Sequence, residues 1–192
     1  MTGASSSPED RVAPAGTVTG SAALRPNPGP LSWLARRGKL RYFLPWVGRD
    51  ARILDLGCSD NWFKRGAAAR GWTGVTGLDL MPPADIVGDV FNWRELGLSP
   101  HSWDAVVAFE VLEHGEFAPV IGELLRPGGL LFATTPVPRM DPVCHALERV
   151  GLLQRRTSPH THLTDLAEVA GFDILDRRLK AGISQWAVLR SR

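Results

Sequence analysis

"RILDLGCSDNW", residues 52–62, decides how this chain folds. The short apolar run from Ile53 to Leu56 carries one acid, Asp55, and stops at Gly57. Such a run closed by a glycine reads as a buried strand followed by a loop. Gly57 allows a tight backbone turn, so that the amides after it approach a ligand. The loop is neither of the common phosphate cradles. A dinucleotide fingerprint needs GxGxxG, whereas this chain has Gly57, Ser59 and Trp62, and GxxxxGK[ST] is absent. An acid just ahead of the loop glycine suits an ammonium group better than a pyrophosphate.

Working outward, strand and helix patterns alternate. "NWFKRGAAARG" (61–71) reads as a helix ending at Gly71, "TGVTGLDL" (73–80) as a second strand, "ADIVGD" (84–89) as a short third and "WDAVVAFE" (103–110) as a fourth. A helix over about Phe117 to Leu125 stops at the "RPGG" turn, and "LLFATTP" (130–136) makes a fifth strand ended by Pro136. "PVCHALERVG" (142–151) is helical. "TDLAEVAGF" (164–172) reads as a helix capped by Thr164 with Gly171 past its end, before the strands "FDILDRR" (172–178) and "ISQWAVLR" (183–190). The last two strands are joined too closely for a crossover helix and should pair antiparallel. The expected fold is α/β, a Rossmann-like doubly wound sheet of about seven strands, mostly parallel with the last antiparallel. Such sheets bind ligands at the carboxyl ends of their strands.

Residues 1–30 are dominated by Ala, Gly, Pro, Ser and Thr and cannot bury enough surface to offset ordering, so a disordered tail is expected there. Residues 31–192 form one domain, opened by an amphipathic helix over 31–47 with Ser32 as its cap and Pro45 near its end. The length of 192 residues, 44% apolar and 22% charged, fits one globular domain. No apolar run is long enough for a bilayer, and no basic start leads into an apolar block, so a cytoplasmic location is expected. Cys58 and Cys144 lie far apart without CxxC partners, which fits a reducing compartment.

The net charge of +2 hides a pattern, since residues 53–151 carry 7 Lys/Arg against 13 Asp/Glu. An acidic middle suits a cationic small ligand, and basic flanks suit an anionic substrate or membrane surface. The expected ligand is read from the strand ends. Asp79 closes the second strand, where an acid accepts hydrogen bonds from ribose hydroxyls, and Asp89 follows the third, near enough for an adenine amino group. Acids after three strands without a phosphate loop describe a nucleoside with a cationic tail.

These stretches resemble the class I S-adenosylmethionine-dependent methyltransferases. "ILDLGCSDNW", "GLDL", "GDV", "WDAVVAFEVLEH" and "LLRPGGLLFATTP" are similar to five of their motifs in order, and "HLTDLAEVAGFDIL" resembles the final segment of their small-molecule branch, which includes enzymes of ubiquinone and menaquinone synthesis. The resemblance covers about residues 50–190. It implies S-adenosyl-L-methionine as cofactor and methyl transfer to a small-molecule acceptor. It also implies that Asp55 and Gly57, with Cys58 and Ser59 in the loop, hold the methionine end, Asp79 the ribose and Asp89 the adenine. Leu80 and Val90 would flank the purine and Phe109 would lie near the sulfonium. The family usually has glycine where Ser59 and Asn61 stand; asparagine is the residue that best tolerates a left-handed backbone.

Methyl transfer from a sulfonium chiefly needs alignment and exclusion of water. A hydroxyl acceptor also needs a base, for which His114, after Glu113 at the opening of the next helix, is the candidate. His160 and His162 lack a third ligand in sequence, so no metal is expected. The first helix is a candidate lid carrying Arg37, Arg41 or Tyr42 toward the cleft, with packing on the sheet as the plainer alternative and lipid docking as a lesser one. No aromatic-basic stripe points to nucleic acid. The competing readings are aminopropyl transfer and a degenerate fold that serves as a binding or regulatory protein.

Overall fold

The computed structural model describes residues 29–153 and 165–192. The expected tail therefore lies outside the described residues except at its end, where Pro30 already belongs to a helix. Helix α1 runs Pro30–Phe43. It is capped by Gly29, not Ser32, because Pro30 fills the first helical position, where its fixed φ and missing N–H cost nothing. Pro45 then tightens the chain into a 3-10 turn over Leu44–Trp46, so the helix expected over 31–47 is a shorter helix with a separate turn.

Seven strands follow: β1 Ile53–Leu56, β2 Val75–Asp79, β3 Ile86–Val87, β4 Trp103–Phe109, β5 Leu125–Pro136, β6 Phe172–Lys180 and β7 Ser184–Ser191. They form one sheet in the order β3-β2-β1-β4-β5-β7-β6. All neighbouring pairs are parallel except those of β7, which runs antiparallel to both β5 and β6. The expected architecture is thus the observed one. Helices α2 (Trp62–Ala68), α3 (Ala118–Leu124) and α4 (Asp141–Arg149) connect strands.

The two faces of the sheet carry separate cores because successive strand side chains alternate in direction. Leu54, Val106 and Leu131 pack with Ile121, Leu124, Leu166 and Trp93 on one face. Ile53, Val107 and Phe132 pack with Phe43, Phe63 and Trp186 on the other, under α1 and α2. Each fully buried aromatic there contributes about 1.5–3 kcal/mol of transfer free energy. The two helices touch where Leu40 meets Gly66: a Cβ at Gly66 would lie 2.5 Å from Leu40 Cδ1.

Two expectations are corrected. The strand β5 begins at Leu125 and takes in the "RPGG" segment, which keeps pairing with β4 through a register shift between Trp103 and Ala105 and a left-handed Gly128. No helix forms over residues 165–171; these are turns. Asp165 accepts the Ala167 amide at 3.0 Å and pairs with Arg177 of β6 at 2.6 Å, so its side chain competes with helical bonding while Leu166 is buried beneath. Thr164, His160 and His162 lie outside the described residues.

Candidate active site

The parallel strands bring their carboxyl ends to one edge of the molecule, and the sequence-predicted acids gather there. Asp55 in β1 is 3% exposed, and its Oδ2 is buried without a hydrogen-bond partner. Burial first and the neighbouring Asp79 second push its carboxyl up to about 8, while Lys39 pulls it down. A cation brought beside a buried acid of this kind would stabilise its charged form. Asp79 ends β2, beside β1, and Asp89 follows β3, whose last residue pairs with Asp79.

The loop after β1 is shaped by left-handed residues at Gly57 (φ 65°), Ser59 (φ 55°) and Asn61 (φ 57°). Ser59 and Asn61 thus adopt backbone conformations that glycine would adopt without strain, and each is held by a specific bond. The Ser59 amide donates to Asp79 Oδ2 at 2.8 Å, and Asn61 Nδ2 donates to the Pro83 carbonyl at 2.7 Å. Close packing makes Gly57 necessary too: a Cβ there would meet Val111 Cγ2 at 2.8 Å. Cys58 is buried, and burial raises its thiol to about 12, so it serves as packing and not as a nucleophile.

One Asp79 oxygen ties the loop, and no described hydrogen bond uses the other. Asp89 accepts the Phe91 amide at 3.0 Å and caps the 3-10 turn over Val90–Asn92. Leu80 is 53% exposed at this edge, whereas the Val90 side chain is buried in the core.

Sequence reasoning missed Lys39. The candidates on α1 were Arg37, Arg41 and Tyr42, yet Arg37 lies over Trp33, Arg41 is exposed, and Tyr42 packs against Trp186 and Phe43. It is Lys39 that turns inward. Its ammonium sits 4.8 Å from the centroid of Phe109 and 3.1 Å from Glu110 Oε1, and Glu110 in turn accepts from Thr134 Oγ1 at 2.8 Å. The available signal was spacing: Lys39 stands next to Leu40 and four residues before Phe43, on the buried side of the helix. Phe109, at the end of β4, stacks on Trp62 at 5.9 Å and meets Phe63 edge-on at 5.4 Å. A cation therefore already occupies the face of the ring expected near a sulfonium.

After β4 the chain makes a 3-10 turn, Leu112–His114, instead of opening directly into α3. Glu113 is fully buried, and burial followed by the charge of Glu110 pushes its carboxyl up to about 8. His114, the next residue, is exposed. Buried acid and exposed imidazole thus alternate across one turn.

Comparison with known proteins shows the family and the fold. The chain is 30% identical to the "Ubiquinone biosynthesis O-methyltransferase" of Dechloromonas aromatica over 44% of each chain. It is 24% identical to the protein of that name from Neisseria meningitidis serogroup C, over 68% of this chain and 67% of the relative. The chain spans 44% and 67% of the length of these two curated relatives. Its fold superposes on the N-methyltransferase NodS of Bradyrhizobium japonicum with a TM-score of 0.55 at 19% identity, covering 84% of this chain and 97% of that one. A family model described as a methyltransferase domain matches residues 34–176, from within α1 into β6, and the chain belongs to that family.

Proposed function

We propose that this chain transfers the methyl group of S-adenosyl-L-methionine to a small-molecule acceptor. The observation that carries this reading is the buried carboxyl of Asp55 in β1, whose Oδ2 has no hydrogen-bond partner, together with Asp79 at the end of β2 and Asp89 after β3. That set fits a cationic nucleoside and would repel a polyphosphate. Asp55 would accept the ammonium of the methionine end, the loop amides after Gly57 would approach it, and Lys39 would pair with its carboxylate. Asp79 would accept a ribose hydroxyl through its unused oxygen. Leu80 and the main chain of Val90 would border the adenine, with Asp89 beside it.

When bound, the cofactor would supply a sulfonium methyl that the acceptor atom takes in line, with S-adenosylhomocysteine as the leaving group. The residues of the chain align the two and exclude water. Phe109 would lie near the sulfur, its ring fixed by Trp62, Phe63 and the Lys39 ammonium. The curated relatives are named O-methyltransferases, which favours a hydroxyl acceptor. The exposed His114 would take its proton.

Calorimetry with S-adenosylmethionine and S-adenosylhomocysteine tests the reading. Micromolar binding of both is expected. No heat at high micromolar concentration would favour a binding or regulatory protein built on the same fold. Release of S-adenosylhomocysteine in the presence of hydroxylated candidate acceptors then identifies the substrate.

A further inference from the structure

The inward side of α1 serves the cofactor site, but its outward side has a different chemistry. Besides the inward Lys39, helices α1 and α2 carry five Lys/Arg and no Asp/Glu, of which Lys64 pairs with Asp85 and Arg65 with Asp60. Between them runs a groove of about 270 Å³ lined by Trp33, Arg36, Arg37, Leu40, Trp62 and Arg70. Arg36 lies 5.1 Å over the Trp62 ring and Arg37 lies 4.7 Å over Trp33. Arg36 also pairs with Asp60 at 3.2 Å, whereas none of the described ion pairs uses Arg37 or Arg41. Beside the groove the helix exposes Leu31, Trp33 (53%) and Leu34 (63%). Scattered exposed apolar residues are ordinary. Here Trp33, Leu34, Arg37 and Arg41 follow one another at helical spacing on a single face.

We propose that this face of α1, with the groove beside it, docks the protein on an anionic membrane surface. A helix lying flat in an interface needs apolar side chains to insert and cations at headgroup level, and both are present. Lys39, Leu40 and Phe43 anchor the helix to the body of the protein, so its outward face is held in place before any surface is met. Trp33 and Leu34 supply the apolar insertion, with the indole suited to the headgroup boundary. Arg37 and Arg41 stand among them, and Arg70 lies across the groove, placed for lipid phosphates. A nucleic acid would also satisfy the arginines, but it has no use for exposed Leu31 and Leu34. The lipid surface uses both halves of the pattern.

Co-sedimentation of the full chain with vesicles tests this. Binding is expected to vesicles mixing phosphatidylcholine with phosphatidylglycerol and not to phosphatidylcholine alone, and it should weaken as salt is raised. The double change Arg37→Ser, Arg41→Ser should lower partitioning by about 25-fold, near five-fold for each charge removed. Trp33→Ser with Leu34→Ser should abolish it. Leu179→Ser, which removes an equally exposed leucine from β6, should leave it unchanged. Thermal melts confirm that each variant is folded. Three outcomes overturn the proposal: no binding by the wild type, undiminished binding by both α1 variants, or displacement by millimolar inorganic phosphate or by RNA, which would make the groove a simple anion or nucleic-acid site.

Discussion

The main-chain N–H of Ser59 donates to Oδ2 of Asp79 at 2.8 Å, tying the loop after β1 to the end of β2. The residue that stands where a glycine was expected is therefore anchored by the residue assigned to the ribose. On the proposed assignment, loop shape and nucleoside recognition would share one carboxylate. Asp79→Ala should remove both functions and lower affinity for S-adenosylhomocysteine by at least about ten-fold, more than loss of one neutral hydrogen bond. Calorimetry reads this directly. Unchanged affinity would show that the ribose lies elsewhere.

Ser59→Gly tests the strain. A left-handed L residue costs about 1–2 kcal/mol, partly offset by the greater freedom that glycine gives the unfolded chain. The variant should be more stable by about 0.5–1 kcal/mol in urea unfolding, because the amide that Asp79 accepts is retained. Asn61→Gly should gain less, since the bond to Pro83 is lost.

The buried acid predicts a pH dependence. Asp55 titrates near 8 in the folded chain and near 3.8 when unfolded, so folding takes up a proton between these values. Stability of the ligand-free protein should therefore fall as pH rises from about 5 to 8, and Glu113, also held near 8, acts in the same direction. Asp55→Asn should flatten this slope and exceed the wild type at pH 8 by at least about 1 kcal/mol. Denaturant titrations at several pH values check it; parallel slopes for both proteins would contradict it.

Lys39→Met separates charge from packing. Its loss should weaken S-adenosylmethionine about ten-fold or more while leaving decarboxylated S-adenosylmethionine little changed, because only the former presents a carboxylate. Equal losses for both ligands would assign Lys39 to the Glu110 ion pair alone. A preference for the decarboxylated ligand in the wild type would instead favour aminopropyl transfer.

His114→Gln should lower kcat by about 100-fold with a hydroxyl acceptor and leave cofactor affinity unchanged, as expected for a general base that does not touch the cofactor. A kcat within two- or three-fold of wild type, about the scatter of a surface change, would leave alignment alone to drive transfer.

The central strands were legible because β1 and β4 are buried along almost their whole length and so read as near-continuous apolar runs. Asp55, Asp79 and Asp89 were legible as acids at strand positions because Asp55 interrupts the first run, Asp79 ends β2 and Asp89 follows the short β3. The pattern failed where tertiary contacts decide. Residues 165–171 have helical spacing, but a side chain that bonds its own backbone and reaches Arg177 holds them as turns. Lys39 failed for another reason. A lysine on a buried helix face looks like an error in the apolar stripe until its partners, which lie 71 residues away at Glu110 and beside it at Phe109, are seen.

The Leu40 contact on Gly66 and the seat of Phe43 against Phe109, Phe132 and Trp186 set a lower limit on how far the chain can be shortened. Cutting before Arg49 would leave the strands intact on paper, yet it would strip the lid from three aromatic rings and open a greasy wall to water. Such a fragment should clump or melt before it could bind anything. The first strand opens the nucleotide fold, but the working unit begins a helix earlier.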